Sequence, residues 1–167
     1  MIRVRHIAFA TALLSLTACH SHAQPSQAAA QADGAAGATF LAKNAKTPGV
    51  VTLPSGLQYK IIHSGPATGV HPAPGDQVKV DYTGSLLSGD VFDSTVKRGE
   101  PAVLPLDGLV QGWMEALPMM RPGDHWILYI PSDLGYGPEG RPPVIPPASV
   151  LVFDMTLVDV LKPNAAG

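Results

Sequence analysis

Few residues in this chain could make or break a covalent bond. Cys19 is the only cysteine, so no intrachain disulfide is possible and no thiol nucleophile lies downstream of it. Neither G-x-S-x-G nor H-E-x-x-H occurs, which removes two common hydrolase signatures. His63, His71 and His125 lack ligand spacing, and Asp93 has no carboxylate partner for hydrolytic acid–base work. Cys19-His20-Ser21-His22 is too compact for a zinc site. Gly135-Tyr136-Gly137-Pro138-Glu139-Gly140 matches G-x-G-x-x-G, yet Arg141-Pro142-Pro143 forbids the helix that a dinucleotide needs. Pro143-Val144-Ile145-Pro146 satisfies P-x-x-P, a weak docking signal beside the plainer reading of a structured loop. What remains is a set of aromatics, Tyr82, Phe92, Trp113, Tyr136 and Phe153, interleaved with Val110 and Ile145. Composition alone assigns them to a core, and no nucleophile stands among them.

The element that must position them is Leu109–Leu117. At 100° per residue, Leu109, Val110, Trp113, Met114, Ala116 and Leu117 fall on one side, with Gln111, Gly112 and Glu115 opposite. Pro118, then Pro122-Gly123, stop the helix after about two turns. So short a helix is marginal alone, so its apolar face must lie against something. Around it the sequence offers strands. Leu57–Ile62 follows a Pro-Ser-Gly turn, and Gln77–Tyr82 alternates with Val78, Val80 and Tyr82 on one face. Ser88-Gly89-Asp90 turns into Val91-Phe92, a polar loop follows, and Ala102–Leu106 is another short strand. Trp126–Ile130 reads as a buried strand, and Val150–Leu161 presents Leu151, Phe153, Met155 and Leu157 on one face. Pro131–Pro147, crowded with proline and glycine, is loop. Without βαβ alternation, this predicts an α+β fold with an antiparallel sheet.

The front of the chain reads differently. Residues 1–19 resemble an export signal: Arg3 and Arg5 precede an apolar run, Ile7–Leu16, too short to span a bilayer. It ends Leu16-Thr17-Ala18-Cys19, similar to a bacterial lipobox with an acylated Cys19 as first mature residue. Ser21-His22-Ala23 offers the rival of ordinary cleavage before Gln24, giving a soluble periplasmic or secreted protein. Residues 20–52 read as a flexible tether of Ala, Gln and Gly, unable to bury enough surface to order itself. Net charge is −2 and no basic block exists, so nucleic acid is not an expected partner.

Along about 109 residues, from Leu53 to Leu161, the local settings of the aromatics resemble the FKBP-type peptidyl-prolyl isomerases. Val80-Asp81-Tyr82-Thr83-Gly84, Gly89-Asp90-Val91-Phe92-Asp93-Ser94 and Gly112-Trp113 occur in that family's order. Met120-Arg121-Pro122-Gly123-Asp124, Gly135-Tyr136-Gly137, Val144-Ile145-Pro146-Pro147 and Leu151-Val152-Phe153-Asp154 continue it. Pro-Ser-Gly-Leu-Gln-Tyr at the start is more similar to the bacterial Mip-like branch. Leu104, Asp81 and Gly135 depart from the residues usual there, and the helical dimerisation module that precedes many Mip-like domains has no counterpart here.

The resemblance implies a sheet of five or six antiparallel strands wrapped around one short helix, over residues 53–162, with 163–167 as tail. It implies a prolyl pocket with Tyr82, Phe92, Asp93, Trp113, Tyr136 and Phe153 as its working residues, and Leu104, Leu109, Val110 and Ile145 completing the wall. Asp93 would be hydrogen-bonded to a neighbouring Tyr or to Arg98, while the Tyr136 hydroxyl and the Ile145 N–H would hold substrate carbonyls. Such an enzyme isomerises X-Pro bonds in folding envelope proteins without metal or cofactor, and binds macrolides of the tacrolimus and rapamycin type. A lipid anchor would hold it at the outer membrane, facing the periplasm. A binding module or holdase with this fold but little catalysis is the alternative.

Overall fold

The computed structural model describes residues 25–162. The lipobox, Cys19, the rival cleavage site before Gln24 and the tail lie outside the described residues. Seven strands form one fully antiparallel sheet in the order β1-β2-β6-β7-β3-β4, with β5 also paired to β3. They are β1 (Val50–Thr52), β2 (Gln58–His63), β3 (Gln77–Leu86), β4 (Val91–Ser94), β5 (Ala102–Pro105), β6 (His125–Ile130) and β7 (Leu151–Leu161). The expectation of five or six strands missed β1, a three-residue edge strand too short to show alternation.

Alternation decides which face of the sheet is core. Val78, Val80 and Tyr82 of β3 are buried with Leu151, Phe153, Met155 and Leu157 of β7, and Trp126, Leu128 and Ile130 of β6 join them. Against this face lies α3 (Gln111–Ala116), running into a 3-10 turn at Leu117–Met119 that contains Pro118. Trp113, Ala116 and Leu117 are buried, as the helical stripe requires. Gly112 is not on a solvent side, as its place on the helical wheel suggests. It is buried, and a Cβ there would come within 2.7 Å of Ile130 Cγ2. The glycine lets the short helix settle onto β6.

Two further helices were not legible. α2 (Thr95–Arg98) is a single turn where the sequence reads as polar loop. Ser94 caps it by accepting the Lys97 N–H at 3.3 Å, and Gly99 ends it in the left-handed region at φ 80°.

The larger correction is α1 (Pro25–Asn44), which stands where a flexible tether was expected. Alanine favours helix, and Pro25 at the start and Lys43 in the last turn suit its two ends. It docks without an apolar stripe. Gly37 is buried against Val150, and Phe40 meets the Tyr129 ring with centroids 5.8 Å apart. Asn44 Nδ2 donates to Gln58 Oε1 at 2.9 Å, while Gln58 Nε2 donates to the Leu41 carbonyl at 2.9 Å. A glycine contact, one aromatic contact and an amide pair hold this helix, with no apolar stripe, so hydrophobic periodicity could not announce it. No helix among the described residues is long and apolar enough to cross a membrane.

Candidate functional site

Where α3 meets the core face of β3 and β7, the sheet leaves a cleft of about 560 Å³, within the usual size of small-ligand sites. Trp113 lies at its base, 4% exposed, because α3 pins its backbone beneath the sheet. Its indole meets Tyr82 edge to face at 4.9 Å and Phe153 at 5.0 Å. Phe92 from β4 meets Phe153 at 5.5 Å and 85°. These perpendicular contacts set the positive edge of each ring against the face of the next. Gly84 makes room for them, since a Cβ there would lie 2.6 Å from Phe92 and 2.7 Å from Phe153. The Trp113 indole N–H is buried without a protein acceptor.

All ten residues expected around the pocket line this one cleft. Leu104 comes from β5, Leu109 and Val110 from the approach to α3, and Tyr136 and Ile145 from the loop between β6 and β7. The sequence reading missed Gly108, Arg141, Pro142 and Val144, which also line it. Their only signal was adjacency to Leu109 and Ile145.

Among the described residues, Asp93 is the only carboxylate on the wall. One turn of helix, α2, brings Arg98 back to it, so its carboxylate accepts from Arg98 Nη1 and from the Tyr82 hydroxyl. Arg98 Nη2 lies 3.5 Å from that hydroxyl. Burial pushes the Asp93 carboxyl upward, but the hydrogen bonds from Tyr82 and Arg98 and the guanidinium charge outweigh it and hold it below its ordinary value. Burial, and then donation to Asp93, raises the Tyr82 phenol. Asp93 is therefore a paired carboxylate at neutral pH, with no proton to exchange.

The remaining polar groups sort into occupied and free. Ile145 N–H donates to the Arg141 carbonyl at 3.0 Å, and Arg141 N–H returns a bond to the Ile145 carbonyl at 2.8 Å. That donor is engaged inside the loop, so the expectation that it holds a substrate carbonyl does not fit this geometry. Among the described residues, neither the Tyr136 hydroxyl nor the Val110 N–H is paired, and both residues line the cleft.

A small antiparallel sheet curled over one short helix, with an aromatic cleft at their junction, is the architecture that the described residues define. Residues 69–158 match the family model described as FKBP-type peptidyl-prolyl cis-trans isomerase, and residues 8–61 match the domain amino terminal to it. The chain belongs to the FKBP-type peptidyl-prolyl cis-trans isomerase family. It is 48% identical over 131 residues to an FKBP-type 22 kDa peptidyl-prolyl cis-trans isomerase of Escherichia coli (strain K12), covering 78% of this chain and 63% of that one. It is 46% identical over 133 residues to the Outer membrane protein MIP of Legionella longbeachae, covering 80% and 56%. The crystal structure of FkpA from Escherichia coli superposes with a TM-score of 0.75 at 41% identity, covering 80% of this chain and 61% of that one. The chain thus spans less than two thirds of the length of these relatives. The match over residues 8–61 corrects the expectation that no amino-terminal module has a counterpart here; α1, β1 and the start of β2 lie within that region.

Proposed function

We propose that this domain isomerises X-Pro peptide bonds in polypeptides folding in the bacterial cell envelope. The observation that carries the reading is the cleft floored by Trp113 and walled by Tyr82, Phe92 and Phe153. Rotation about the X-Pro bond is slow because amide resonance must be broken, at about 18–20 kcal/mol. Resonance also puts negative charge on the carbonyl oxygen, so the twisted transition state is less polar than either planar ground state. An aromatic site that holds the proline ring favours the twisted form relative to the planar ones, which is the differential binding that catalysis requires. Only orientation is then asked of polar groups. The Tyr136 hydroxyl and the Val110 N–H supply donors for substrate carbonyls, and Asp93 fixes Tyr82 through their hydrogen bond. Macrolides of the tacrolimus and rapamycin type would occupy the same cleft.

The test is the cis–trans exchange rate of an X-Pro peptide, measured by NMR with and without catalytic amounts of the protein. Acceleration is expected. Binding of the peptide without acceleration would instead select the holdase reading.

Attachment belongs to the same proposal. The lipobox ending at Cys19, and a relative named as an outer membrane protein, support an acylated form at the outer membrane facing the periplasm. Mass analysis of the mature amino terminus decides it, since an unmodified chain beginning at Gln24 would refute the anchor.

A further inference from the structure

The cleft carries two charged side chains, Asp93 and Arg141. They are not equivalent. The Asp93 charge is met by Arg98, whereas among the described residues no carboxylate lies within ion-pair distance of Arg141. Glu139, only two residues away, does not reach it.

Arg141 is exposed, but the segment that carries it is fixed. Its backbone is tied to Ile145 by the reciprocal pair of hydrogen bonds at 2.8 and 3.0 Å, and its carbonyl also accepts from Val144 at 3.2 Å. Ile145 is itself 3% exposed, so the pair roots the arginine in the core. Gly140, at φ 65°, precedes it where a Cβ would lie 2.3 Å from the Pro146 carbonyl oxygen, and two prolines follow it. At the other end, the guanidinium carbon lies 5.8 Å from the centroid of the Tyr136 ring, within the distance at which a ring face attracts a cation. A short closed loop and an aromatic face together hold one uncompensated positive charge at the mouth of an apolar cleft.

We infer that Arg141 is a specificity residue, selecting X-Pro segments that carry an acidic side chain beside the proline. This rests on the isomerase reading of the cleft. Arg141 lines the cleft, so a carboxylate on a residue flanking a proline bound there would be drawn to this charge wherever it came within the Debye length, about 8 Å at physiological salt. A lysine at the same place meets repulsion. The preference is local, because the chain as a whole carries a formal charge of −2 and would disfavour acidic peptides at long range.

The experiment uses the full chain and peptides identical except for Glu, Gln or Lys at one of the two positions on either side of the proline. Affinity is read by NMR titration, and turnover by cis–trans exchange, as separate quantities. At one of these positions or more, Glu should exceed Lys about two- to five-fold, the range open to one exposed charge pair. The difference should lie in affinity and KM more than in kcat, and shrink as salt is raised. Arg141→Gln should bring the ratio to one, Arg141→Glu should invert it, and Arg141→Lys should keep most of it. A Glu-to-Lys ratio of one in the unaltered chain, or one that Arg141→Gln leaves unchanged, overturns the inference. If affinities follow this pattern while no peptide is turned over, the isomerase reading fails and the selectivity stands. If no peptide binds, both fail.

Discussion

The two walls of the cleft are built on different principles. One consists of Tyr82, Trp113 and Phe153, rooted in β3, α3 and β7, at 8%, 4% and 4% exposure and in mutual edge-to-face contact. The other is the loop carrying Tyr136, Arg141 and Val144, all at least partly exposed. A few backbone bonds hold it, among them Gly137 N–H to Ser132 at 2.8 Å and Ala148 N–H to Gly137 at 3.2 Å. The first wall is part of the hydrophobic core and cannot be altered without cost to the fold. The second can change its side chains with little loss of stability. If the proposed function holds, substitutions in the loop wall could change what is accepted around the proline while the core wall stays as it is.

Trp113→Ala breaks that contrast most severely. It removes a large side chain from the packed floor, where little can collapse into the space, and should cost about 3–5 kcal/mol of stability. Turnover should fall with it. Denaturant unfolding and X-Pro exchange, measured on the same preparation, check both. A variant that unfolds at the same denaturant concentration as the parent would show that the indole is not part of the core-facing wall.

Asp93 is partly exposed yet bonded to Tyr82 of the core wall, and its replacement should have an intermediate effect. Asp93→Leu leaves the Tyr82 hydroxyl without its acceptor and Arg98 without its ion-pair partner. Because the site is partly open to water, the expected cost is about 1 kcal/mol, too little to unfold the domain. Turnover should drop as Tyr82 loses its fixed orientation. The sign of the pH dependence follows from the lowered carboxyl. A carboxylate held below its unfolded value contributes stability above about pH 4 and loses it as pH falls through the folded value. The raised Tyr82 phenol contributes below about pH 10 and loses that contribution as pH rises through its folded value. The stability difference between parent and variant should thus be flat from pH 6 to 8 and shrink in acid. Parent turnover should also be flat across neutrality, since no wall group needs to titrate there. A parent rate that changed tenfold over that range would imply a proton transfer that the paired Asp93 cannot perform.

What the sequence revealed follows the same division. The sheet and α3 announce themselves because their side chains alternate between core and solvent, or repeat at helical spacing, and burial enforces those periods. α1 does not, because Gly37, the single aromatic Phe40 and the Asn44–Gln58 amide pair make its contacts rather than an apolar stripe. α2 is too short for any period, although Ser94 and Gly99 cap it in the expected manner. The pairing of Asp93 with a tyrosine and Arg98 was legible, since a charge at an apolar rim needs a partner. The engagement of Ile145 N–H was not. Which backbone donor is free depends on how Gly140-Arg141-Pro142-Pro143-Val144 closes on itself, and residue types do not fix that. Arg141 went unnoticed for the same reason.

Tyr136→Phe is the smallest change and isolates the loop wall. The ring remains against the cleft and under the Arg141 guanidinium, so packing and the cation contact are preserved. The hydroxyl that is lost has no partner among the described residues, so its removal orphans no protein group and should leave stability within about 0.5 kcal/mol of the parent. If that hydroxyl donates to a substrate carbonyl, turnover should fall by roughly five- to tenfold, as expected for one neutral hydrogen bond. The fall should appear mainly in KM if the bond forms equally in ground and transition states, and mainly in kcat if it forms only as the amide twists. Both parameters left at parental values would remove Tyr136 from the substrate contacts. The aromatic floor would then have to orient the chain with the Val110 N–H alone.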